Sequence, residues 1–415
     1  MNKKVEESRL FKRGGALSYL LEEDRHLTAS DPTEYSFGFI GCGMMGQEHI
    51  RNTLLVGRAE IGGIFDPSDK SAEHALRIVE KSRKQAQPRV YNSIDEACSD
   101  PSTDALIIAT PNHTHLDVVR TVVKSGKAIF LEKPIATSVA DAYELCQLAE
   151  SHAKPFLFGL QYRYKSIYAE ALNEVFERRS LGQVHSVNML EHRFPFLDKV
   201  GQWNKFSANT GGTLVEKCCH YFDLMNLFAD RLPSRVFAVG NQAVNFKSFS
   251  HDNKMADGLD QAQVTIQYEN GVIGGFSLCM FAPGTREELI VCGGAGRLHA
   301  SESAVLGGAN ENRLELWRGE NGASDVRSPS YPGYIEEAGH HGSTFFEHLS
   351  FIEQLSGDAH AGPTLADGFW SVVVGAAAQV SIERGEAVDV AEILPSNFKS
   401  NFNPDQFGAS TTNAG

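Results

Sequence analysis

The sequence has few of the features that would tie it to a membrane or to nucleic acid. Lys and Arg total 38 against 52 Asp and Glu, so the formal net charge is -14 at pH 7. A surface this acidic repels nucleic acid and anionic lipid, and neither is an expected partner. The longest apolar runs, such as residues 372–378, fall far short of the roughly 20 residues that span a bilayer. No membrane segment is predicted.

Cysteine is scarce and irregularly spaced. The seven cysteines, an odd number, show no disulfide framework, and the chain opens on charged residues instead of a signal peptide. These features predict a reducing, cytoplasmic location. The 415 residues exceed one ordinary core, and a content of 42% hydrophobic and 22% charged residues is that of a soluble globular protein. Two domains are therefore expected.

The most informative stretch present is SFGFIGCGMMGQEHI, residues 36–50. Its apolar start suits a buried strand, and glycines allow a sharp turn and close approach of a ligand. A helix beginning near Gly43 would direct unpaired N–H groups at an anion such as a pyrophosphate. The pattern alone equally fits a glycine-rich turn, so the following residues decide. The expected cofactor contacts here are Gly41, Cys42, Gly43, Met44, Met45 and Gly46.

A second predicted strand ends at an acid. Glu60–Asp66 reads as that strand, and Asp66 lies about twenty residues after Gly46, where the dinucleotide fold places its ribose-binding carboxylate. A carboxylate there accepts hydrogen bonds from the ribose hydroxyls and repels a 2′-phosphate, which favours NAD over NADP. Asp66 could also cap a helix beginning near Ser68, and both roles are compatible.

Strands and helices then alternate up to residue 159. Residues 105–110, ALIIAT, form a continuous apolar run typical of a parallel sheet buried on both faces. The alternation predicts a doubly wound Rossmann domain over 36–159, an α/β fold. Residues 1–35 are interpreted as an N-terminal extension.

From about Gly182 the pattern changes to strands separated by turns. It predicts a second, α+β domain over 160–395, built on a large open, mostly antiparallel sheet, with an Asn270-Gly271 hairpin. Gly293–Gly296 is interpreted as another hairpin turn and not as a phosphate site. Helices are expected at 213–227, 344–355 and 368–384. Residues 396–415 are expected to form a flexible tail.

Polar residues lie where the fourth and fifth predicted strands end, at the sheet edge where ligands of open parallel sheets bind. Cofactor contacts are expected there from Thr110, Asn112, His115, Glu132 and Lys133. Lys133, in the segment FLEKP, could also hydrogen-bond a substrate hydroxyl and stabilise the alkoxide as hydride leaves. Taken alone, a lysine at this position is more often an ordinary surface residue.

The segment GGTLVEKCCHYFD, residues 211–223, offers a general base. In one continuous helix Glu216, His220 and Asp223 would share a face, so that Glu216 could orient His220. A purely structural histidine beside a buried acid is the alternative. Zinc bound by Glu216, Cys219 and His220 is a weaker possibility, since no second group of ligands accompanies them, and no metal is predicted.

Three further residues are candidate substrate contacts. Asp223 lies on the helix just described, and Arg163 follows the sixth predicted strand, where the chain crosses between domains. Arg163 could instead bridge the domains. Trp203, one of three tryptophans, could form a wall of the nicotinamide pocket or belong to the core.

Together, the segments GCGMMG, ATPNHTH, FLEKP and GGTLVEKCCHYFD, with Asp66, resemble the Gfo/Idh/MocA oxidoreductases over roughly residues 36–395. Glu132-Lys133-Pro134 is the most specific of these motifs. The resemblance implies an N-terminal Rossmann domain, a C-terminal open mixed sheet, and NAD or NADP between them. It also implies sugar or cyclitol substrates and a homodimer or homotetramer that uses the sheet as its interface.

The resemblance implies roles as well. Lys133 takes the place of the lysine that contacts the substrate hydroxyl, and His220 that of the catalytic histidine. Glu216 falls where many members have aspartate. The expected reaction is NAD-dependent oxidation of a ring secondary alcohol on a sugar or cyclitol. The alternatives are an enzyme that keeps and recycles a bound cofactor, a non-catalytic sensor of nucleotide or sugar, and an NADP-dependent reductase, which Asp66 disfavours.

Overall fold

A computed structural model describes residues 32–82, 87–195, 198–304, 311–319, 322–357 and 362–398. Most of the predicted N-terminal extension and of the predicted C-terminal tail lies outside these residues.

The first sheet has six parallel strands in the order β3-β2-β1-β4-β5-β6. The strands are β1 Tyr35–Ile40, β2 Ala59–Phe65, β3 Arg89–Val90, β4 Ala105–Ile108, β5 Ala128–Glu132 and β6 Phe156–Gly159. The helices between them are α1 Met44–Val56, α2 Asp69–Ser82, α3 Ile94–Ser99, α4 His115–Val122 and α5 Val139–Glu150. Every residue of β4 and β5 is buried, as a sheet covered on both faces requires. The predicted doubly wound Rossmann fold is confirmed.

The second sheet has nine strands in the order β16-β15-β14-β13-β7-β12-β11-β8-β17. Its strands and the separate β9-β10 pair are β7 Val184–His192, β8 Pro233–Asn241, β9 Ser250–His251, β10 Lys254–Met255, β11 Gln261–Tyr268, β12 Ile273–Cys279, β13 Thr285–Gly293, β14 Gly296–Ala304, β15 Glu311–Arg318, β16 Ala323–Arg327 and β17 Val388–Asp389. Only the β7-β12 pair within this sheet, as described, is parallel. The predicted mostly antiparallel sheet is confirmed.

Both predicted hairpins are present. Asn270 and Gly271 connect the antiparallel strands β11 and β12, and Gly271 has a left-handed φ of 83°. Gly293 pairs with Gly296 across the β13-β14 turn, so this glycine cluster is a hairpin as predicted.

The helices of the second half are α6 Ser166–Leu172, α7 Ser207–Thr210, α8 Thr213–Glu216, α9 Cys219–Ala229, α10 Gly333–Glu336, α11 Ser343–Ser356 and α12 Leu365–Arg384. Helix α9 packs on β7 and α12 packs on β8, so one face of the nine-stranded sheet is covered. Along β11, buried and exposed residues alternate. The opposite face exposes apolar side chains at Phe237, Val239 and Ile273, with relative exposures of 42%, 54% and 57%.

Helix α12 is long and apolar enough to cross a membrane by composition alone. Its most apolar window has a mean hydropathy of 1.4, and 72% of that window is buried inside the protein. Such burial is typical of a core helix of a globular protein.

Helix α11 returns to the first domain. It packs against α1. The Phe351 ring lies 5.7 Å from that of Phe37 and 5.5 Å from that of Phe130, measured between centroids. A segment late in the sequence therefore completes the core of the Rossmann domain.

A buried arginine joins the chain crossing to two helices of the second domain. Arg163 lies in the turn Gln161–Tyr164, directly after β6. Its Nε donates to Asp223 of α9 at 2.7 Å, its Nη2 also bonds that carboxylate, and Nη2 lies 2.8 Å from Asp367 of α12. The exposed fraction of Arg163 is 7% and that of Asp223 is 1%. Arg163 thus ties the segment after β6 to two helices of the second domain.

Replacing Arg163 with methionine should lower the free energy of unfolding by about 3–5 kcal/mol, because two carboxylates would stay buried without their cation. Urea unfolding measures the change. Arg120→Met is the matched control, since Arg120 forms exposed ion pairs with Asp117 and Glu144, and it should lower the free energy of unfolding far less. Equal effects of the two substitutions would contradict this structural role.

Candidate active site

The glycine loop after β1 closes too tightly for side chains at two of its glycines. Gly41 has a φ of +91°, and a Cβ there would lie 2.6 Å from the carbonyl oxygen of Ala109. A Cβ on Gly46 would lie 2.0 Å from the Gly41 carbonyl oxygen. A Cβ on Gly43, by contrast, would have no protein atom within 4 Å. Gly43 therefore faces open space, where the backbone can meet a ligand.

The N-terminus of α1 points its unpaired N–H groups into the same region. Gly43 caps the helix without a side-chain hydrogen bond, and its first turn carries no acidic residue. Met44, at the first position, is 53% exposed. An uncapped helix N-terminus beside a glycine loop has the geometry and partial positive charge that bind phosphate. The residues present therefore fit a dinucleotide.

Asp66 lies against the glycine loop directly after β2. Its Oδ2 accepts the backbone N–H of Cys42 at 2.7 Å, and its Oδ1 accepts that of Ser68 at 2.8 Å. The predicted ribose-binding role of Asp66 and its predicted helix-capping role are thus both compatible with its position. Burial, and then the charge of Asp66, raise the pKa of the Cys42 thiol to about 12, so Cys42 stays protonated and inert.

The loop after β4 carries Thr110, Asn112 and His115. The ring of His115 is fully buried, with Nδ1 2.8 Å from the Pro134 carbonyl oxygen and Nε2 3.1 Å from that of Thr110. His115 thus fastens the β4 loop to the β5 loop and presents no free atom to a cofactor. Asn112 differs, because its buried Nδ2 has no hydrogen-bond partner among the residues described. That orphan donor is available to a ligand.

Glu132 stabilises the loop after β5 through hydrogen bonds. It is 3% exposed, its Oε1 lies 2.7 Å from His49 Nε2, and its Oε2 accepts the backbone N–H of Lys133 at 2.9 Å. His49 in turn lies 2.9 Å from His348 of α11. Both carboxylate oxygens are occupied, so the structure gives Glu132 the position of a support for Lys133.

Lys133 reaches from the Rossmann sheet into the second domain. Its Nζ donates to the backbone carbonyl of Glu216 at 3.1 Å, and the peptide bond between Lys133 and Pro134 is cis. Burial lowers the pKa of Lys133, but the nearby Glu216, Cys219 and Glu132 outweigh burial and raise it. The ammonium is therefore charged at neutral pH and can donate to a ligand oxygen.

The predicted continuous helix over 213–227 is wrong. It is broken into α8 and α9 at Lys217 and Cys218. The Glu216 carbonyl, which a continuous helix would pair with the amide of His220, instead accepts Lys133 Nζ at 3.1 Å and the Cys219 thiol at 3.5 Å. Gly211, with a φ of +76°, lets the segment approach Thr137, whose carbonyl oxygen would lie 2.2 Å from an added Cβ.

Because of this break, Glu216 does not orient His220. The Glu216 carboxylate lies 3.5 Å from Lys199 Nζ, and its Oε2 and the Nδ1 of His220 are both buried without a hydrogen-bond partner among the described residues. The Glu216–His220 hydrogen bond expected from helical spacing is absent within that part of the chain. Glu216 is instead the acid that faces the lysines.

His220 is held by an aromatic ring. It stacks on Tyr162 with the ring centroids 4.2 Å apart and the planes at 6°. The Tyr162 hydroxyl donates to Glu287 at 3.1 Å, which fixes that ring. Burial, together with the positive charges of Lys133 and Lys217, holds the pKa of His220 well below its usual range. His220 is therefore neutral at pH 7 and able to accept a proton.

The predicted substrate contacts divide into two groups. Half-buried Trp203 lies between the domains, with its ring centroid 6.3 Å from that of His113 and 4.4 Å from Lys199 Nζ. That position is compatible with a pocket wall, which stays a prediction. Arg163 and Asp223 bond each other and are buried, so their geometry favours a structural role over substrate contact.

Sequence reasoning missed Tyr162, Lys199 and Lys217. Lys217 lies inside the segment GGTLVEKCCHYFD and Tyr162 is next to the candidate Arg163, but nothing local indicates what either side chain faces. Lys199 carries no signal, because it comes near Glu216 only through the fold.

One group of described residues could hold a metal ion: His49, Glu132 and Glu347, whose ligand atoms lie within 4.8 Å of one another. The weak zinc set of Glu216, Cys219 and His220 is not such a group among the residues described. The seven cysteines are all free thiols.

A Rossmann domain with a glycine loop and with Lys133 at its ligand edge, joined to a sheet domain that brings His220 to that edge, defines a two-domain dinucleotide-dependent oxidoreductase. Residues 35–160 match the oxidoreductase family with an NAD-binding Rossmann fold, and residues 174–390 match the C-terminal alpha/beta domain of the same family. The chain belongs to this Gfo/Idh/MocA family, as the sequence motifs predicted.

Similar proteins and solved structures agree with this family assignment. The myo-inositol 2-dehydrogenase of Thermotoga maritima is 23% identical over 361 residues, which cover 86% of this chain and 99% of that protein. Scyllo-inositol dehydrogenase from Lactobacillus casei, with bound NAD(H) and scyllo-inositol, superposes with a TM-score of 0.67 at 20% identity over 86% of this chain and 99% of that one. Levoglucosan dehydrogenase, in complex with NADH and levoglucosan, superposes with a TM-score of 0.70 at 18% identity, over 86% of this chain and 99% of that one. Likeness at these identities establishes the shared fold.

Replacing Gly43 with alanine should weaken NADH binding while leaving the fold intact. The new Cβ meets no protein atom within 4 Å, yet it occupies the open side of the loop. We expect an unchanged thermal midpoint and a dissociation constant, from NADH fluorescence, raised about tenfold or more. Gly46→Ala is the contrasting control, because its Cβ would collide with the Gly41 carbonyl and should lower the midpoint as well. NADH binding by Gly43→Ala at wild-type strength would contradict this placement.

Proposed function

We propose that the protein oxidises a secondary alcohol on a sugar or cyclitol ring with NAD. The observation that carries this proposal is the hydrogen bond from Lys133 Nζ to the Glu216 carbonyl, which brings the lysine of one domain beside His220 of the other. The names of the inositol and levoglucosan dehydrogenases among the relatives support a ring alcohol as the reacting group.

Each protein group has a defined part in the reaction. NAD, held by the glycine loop after β1 and by Asp66, would supply the acceptor for the hydride of the ring carbon. Lys133 donates a hydrogen bond to the substrate oxygen and stabilises its developing negative charge. Neutral His220 takes the hydroxyl proton on a ring nitrogen, so that a ring ketone, a proton and reduced cofactor are the products. Tyr162 positions the imidazole by stacking, a part first assigned to Glu216.

Glu216 controls the charge and the orientation of Lys133, the donor to the reacting oxygen. Its carboxylate raises the pKa of Lys133, and its backbone carbonyl fixes the direction of that side chain. A group that keeps Lys133 protonated preserves its strength as a donor. The lysine and the histidine together favour catalysis over a sensing role, because a sensor needs no base.

The cofactor preference and the assembly belong to the same proposal. Asp66, at the end of β2 and against the glycine loop, supports NAD over NADP by repelling a 2′-phosphate. The exposed apolar side chains on β8 and β12 support a homodimer or homotetramer that uses the open face of the nine-stranded sheet. A cytoplasmic location also stays a prediction.

Lys133→Ala and His220→Ala should each lower kcat by about 10²–10⁴-fold, because each removes a group that acts on the reacting oxygen. NADH absorbance with a panel of cyclitols, hexoses, anhydrosugars and glycosides follows turnover, and NADH fluorescence verifies that cofactor binding is retained. Lys81→Ala, at an exposed lysine of α2, is the control and should keep full turnover. Full activity of the Lys133→Ala/His220→Ala double variant would refute the assignment.

Asp66→Asn should raise kcat/KM with NADP relative to NAD by about tenfold, since it removes the charge that repels the 2′-phosphate. Steady-state kinetics with both cofactors measure this ratio. The exposed Glu80→Gln on α2 changes the protein charge equally and should leave the ratio unaltered. An Asp66→Asn enzyme with the wild-type ratio would count against a ribose contact.

A further inference from the structure

Glu347 of α11 is a buried acid without a hydrogen-bond partner. Its exposed fraction is 0%, and neither oxygen of its carboxylate has a partner among the residues described. Glu347 lies beside His49 of α1 and Glu132, which ends β5, and one ligand atom from each of the three lies within 4.8 Å of the others. A buried carboxylate that no donor meets is costly, so it indicates a further group that binds it.

The proton positions on a neighbouring pair of histidines follow from Thr53. The Thr53 hydroxyl donates its one hydrogen to the backbone carbonyl of His49 at 2.9 Å, so it can only accept from His348 Nδ1, 3.3 Å away. His348 is fully buried, which favours a neutral ring with a single proton. That proton is on Nδ1, and the free Nε2 of His348 accepts the Nδ1 proton of His49 at 2.9 Å.

This order of protons leaves the other nitrogen of His49 bare when the ring is neutral. His49 Nε2 faces Glu132 Oε1 at 2.7 Å. A ring nitrogen with a lone pair and a carboxylate oxygen are both acceptors, so a positive charge has to lie between them. That charge is either a proton, which would make His49 an imidazolium, or a metal ion.

Glu347 favours the metal ion over the proton. A proton between His49 and Glu132 serves those two groups and leaves both oxygens of Glu347 without a donor. A metal ion binds all three groups at once, and Glu347 can bind it through both oxygens to give four coordinating atoms. Glu132 then still accepts the amide of Lys133 with its second oxygen, at 2.9 Å.

We propose that His49, Glu132 and Glu347 bind one divalent transition-metal ion. Mg²⁺ and Ca²⁺ take oxygen ligands, whereas one imidazole with two carboxylates suits an ion such as Zn²⁺. Two ligands of a tetrahedral zinc ion lie about 3.3 Å apart, so binding would separate His49 Nε2 from Glu132 Oε1 by about 0.6 Å. The hydrogen bond from His49 Nδ1 to His348 orients the ring, as is usual for a histidine ligand.

The site is closed and joins distant parts of the chain. All three ligands are at most 3% exposed, which is typical of a structural ion and not of one that reacts with a substrate. The ion would fix α11, which comes late in the sequence, to α1 and to the loop that carries Lys133. The inference therefore goes beyond the proposed oxidation and does not depend on it.

Elemental analysis tests the proposal on the full chain, purified without a histidine tag. Zn²⁺ is the probe, because a site for Mn²⁺ or Fe²⁺ also binds Zn²⁺, and more tightly. After dialysis against Zn²⁺ and then against buffer alone, mass spectrometry of the elements should find about one zinc ion per wild-type chain. Glu347→Gln keeps the shape of the side chain but removes its charge, and it should lower the zinc content about tenfold. Glu80→Gln, at an exposed acid of α2, is the matched control and should keep the wild-type content.

Two measurements on the wild-type protein need no variant that folds. Removal of zinc with a chelator should lower the thermal midpoint by about 5 °C, and added Zn²⁺ should restore it. X-ray absorption at the zinc edge should show one imidazole and oxygen neighbours at about 2.0–2.2 Å, without sulfur.

The outcomes separate this inference from the proposed oxidation. A chain that takes up no zinc, a wild-type zinc content in Glu347→Gln, or sulfur among the zinc ligands would overturn the inference. Absence of zinc uptake would assign the charge between His49 and Glu132 to a proton. NAD reduction with the panel of sugars is measured on the same preparations. A zinc-loaded protein that reduces no NAD would overturn only the oxidation, whereas a protein that binds no zinc and reduces NAD would overturn only the metal site.

Discussion

The arrangement of the site depends on one hydrogen bond, from the ammonium of Lys133 to the backbone carbonyl of Glu216. The donor lies directly after β5, at the ligand edge of the Rossmann sheet. The acceptor ends α8 in the second domain. Because a protonated lysine donates to a carbonyl that the broken helix leaves free, the second domain fixes the reacting group of the first. His220 begins the next helical turn and lies within the field of the same ammonium.

The electrostatic surroundings give the two reacting groups, Lys133 and His220, different protonation states. The acids around Lys133 keep it charged, whereas burial and neighbouring cations keep His220 neutral. A charged donor and a neutral base are the two states that alcohol oxidation requires at neutral pH.

Local patterns were sufficient to predict the parts of the fold that local forces determine. The Gly41–Gly46 loop, the buried run of β4 and the Asn270-Gly271 turn each carry their own steric or apolar signal. The open sheet could be predicted from alternating strands and short turns. Lys133 and His220 were identified because the motifs that contain them are specific to a family.

The remainder depends on contacts between distant residues. Where the helix over 213–227 breaks, the Glu216 carbonyl accepts a hydrogen bond from a lysine 83 positions away, a contact that helical propensity does not register. Arg163 could not be assigned to Asp223 and Asp367, which lie 60 and 204 positions further along the chain. Tyr162 orients His220 by a stacking contact that no spacing rule describes. Lys199 and Glu216 come together only through the fold.

The most direct test of the account follows the hydride itself. Perdeuterated D-glucose, D-glucuronate and myo-inositol would each be incubated with the protein and NAD, and the cofactor would be recovered after denaturation, so that a retained cofactor is also sampled. The account predicts that mass spectrometry finds one deuterium in the reduced nicotinamide and a ring ketone that has lost one. Ring oxidation with the deuterium released to water, or a cofactor that stays oxidised and unlabelled with every sugar, would contradict it.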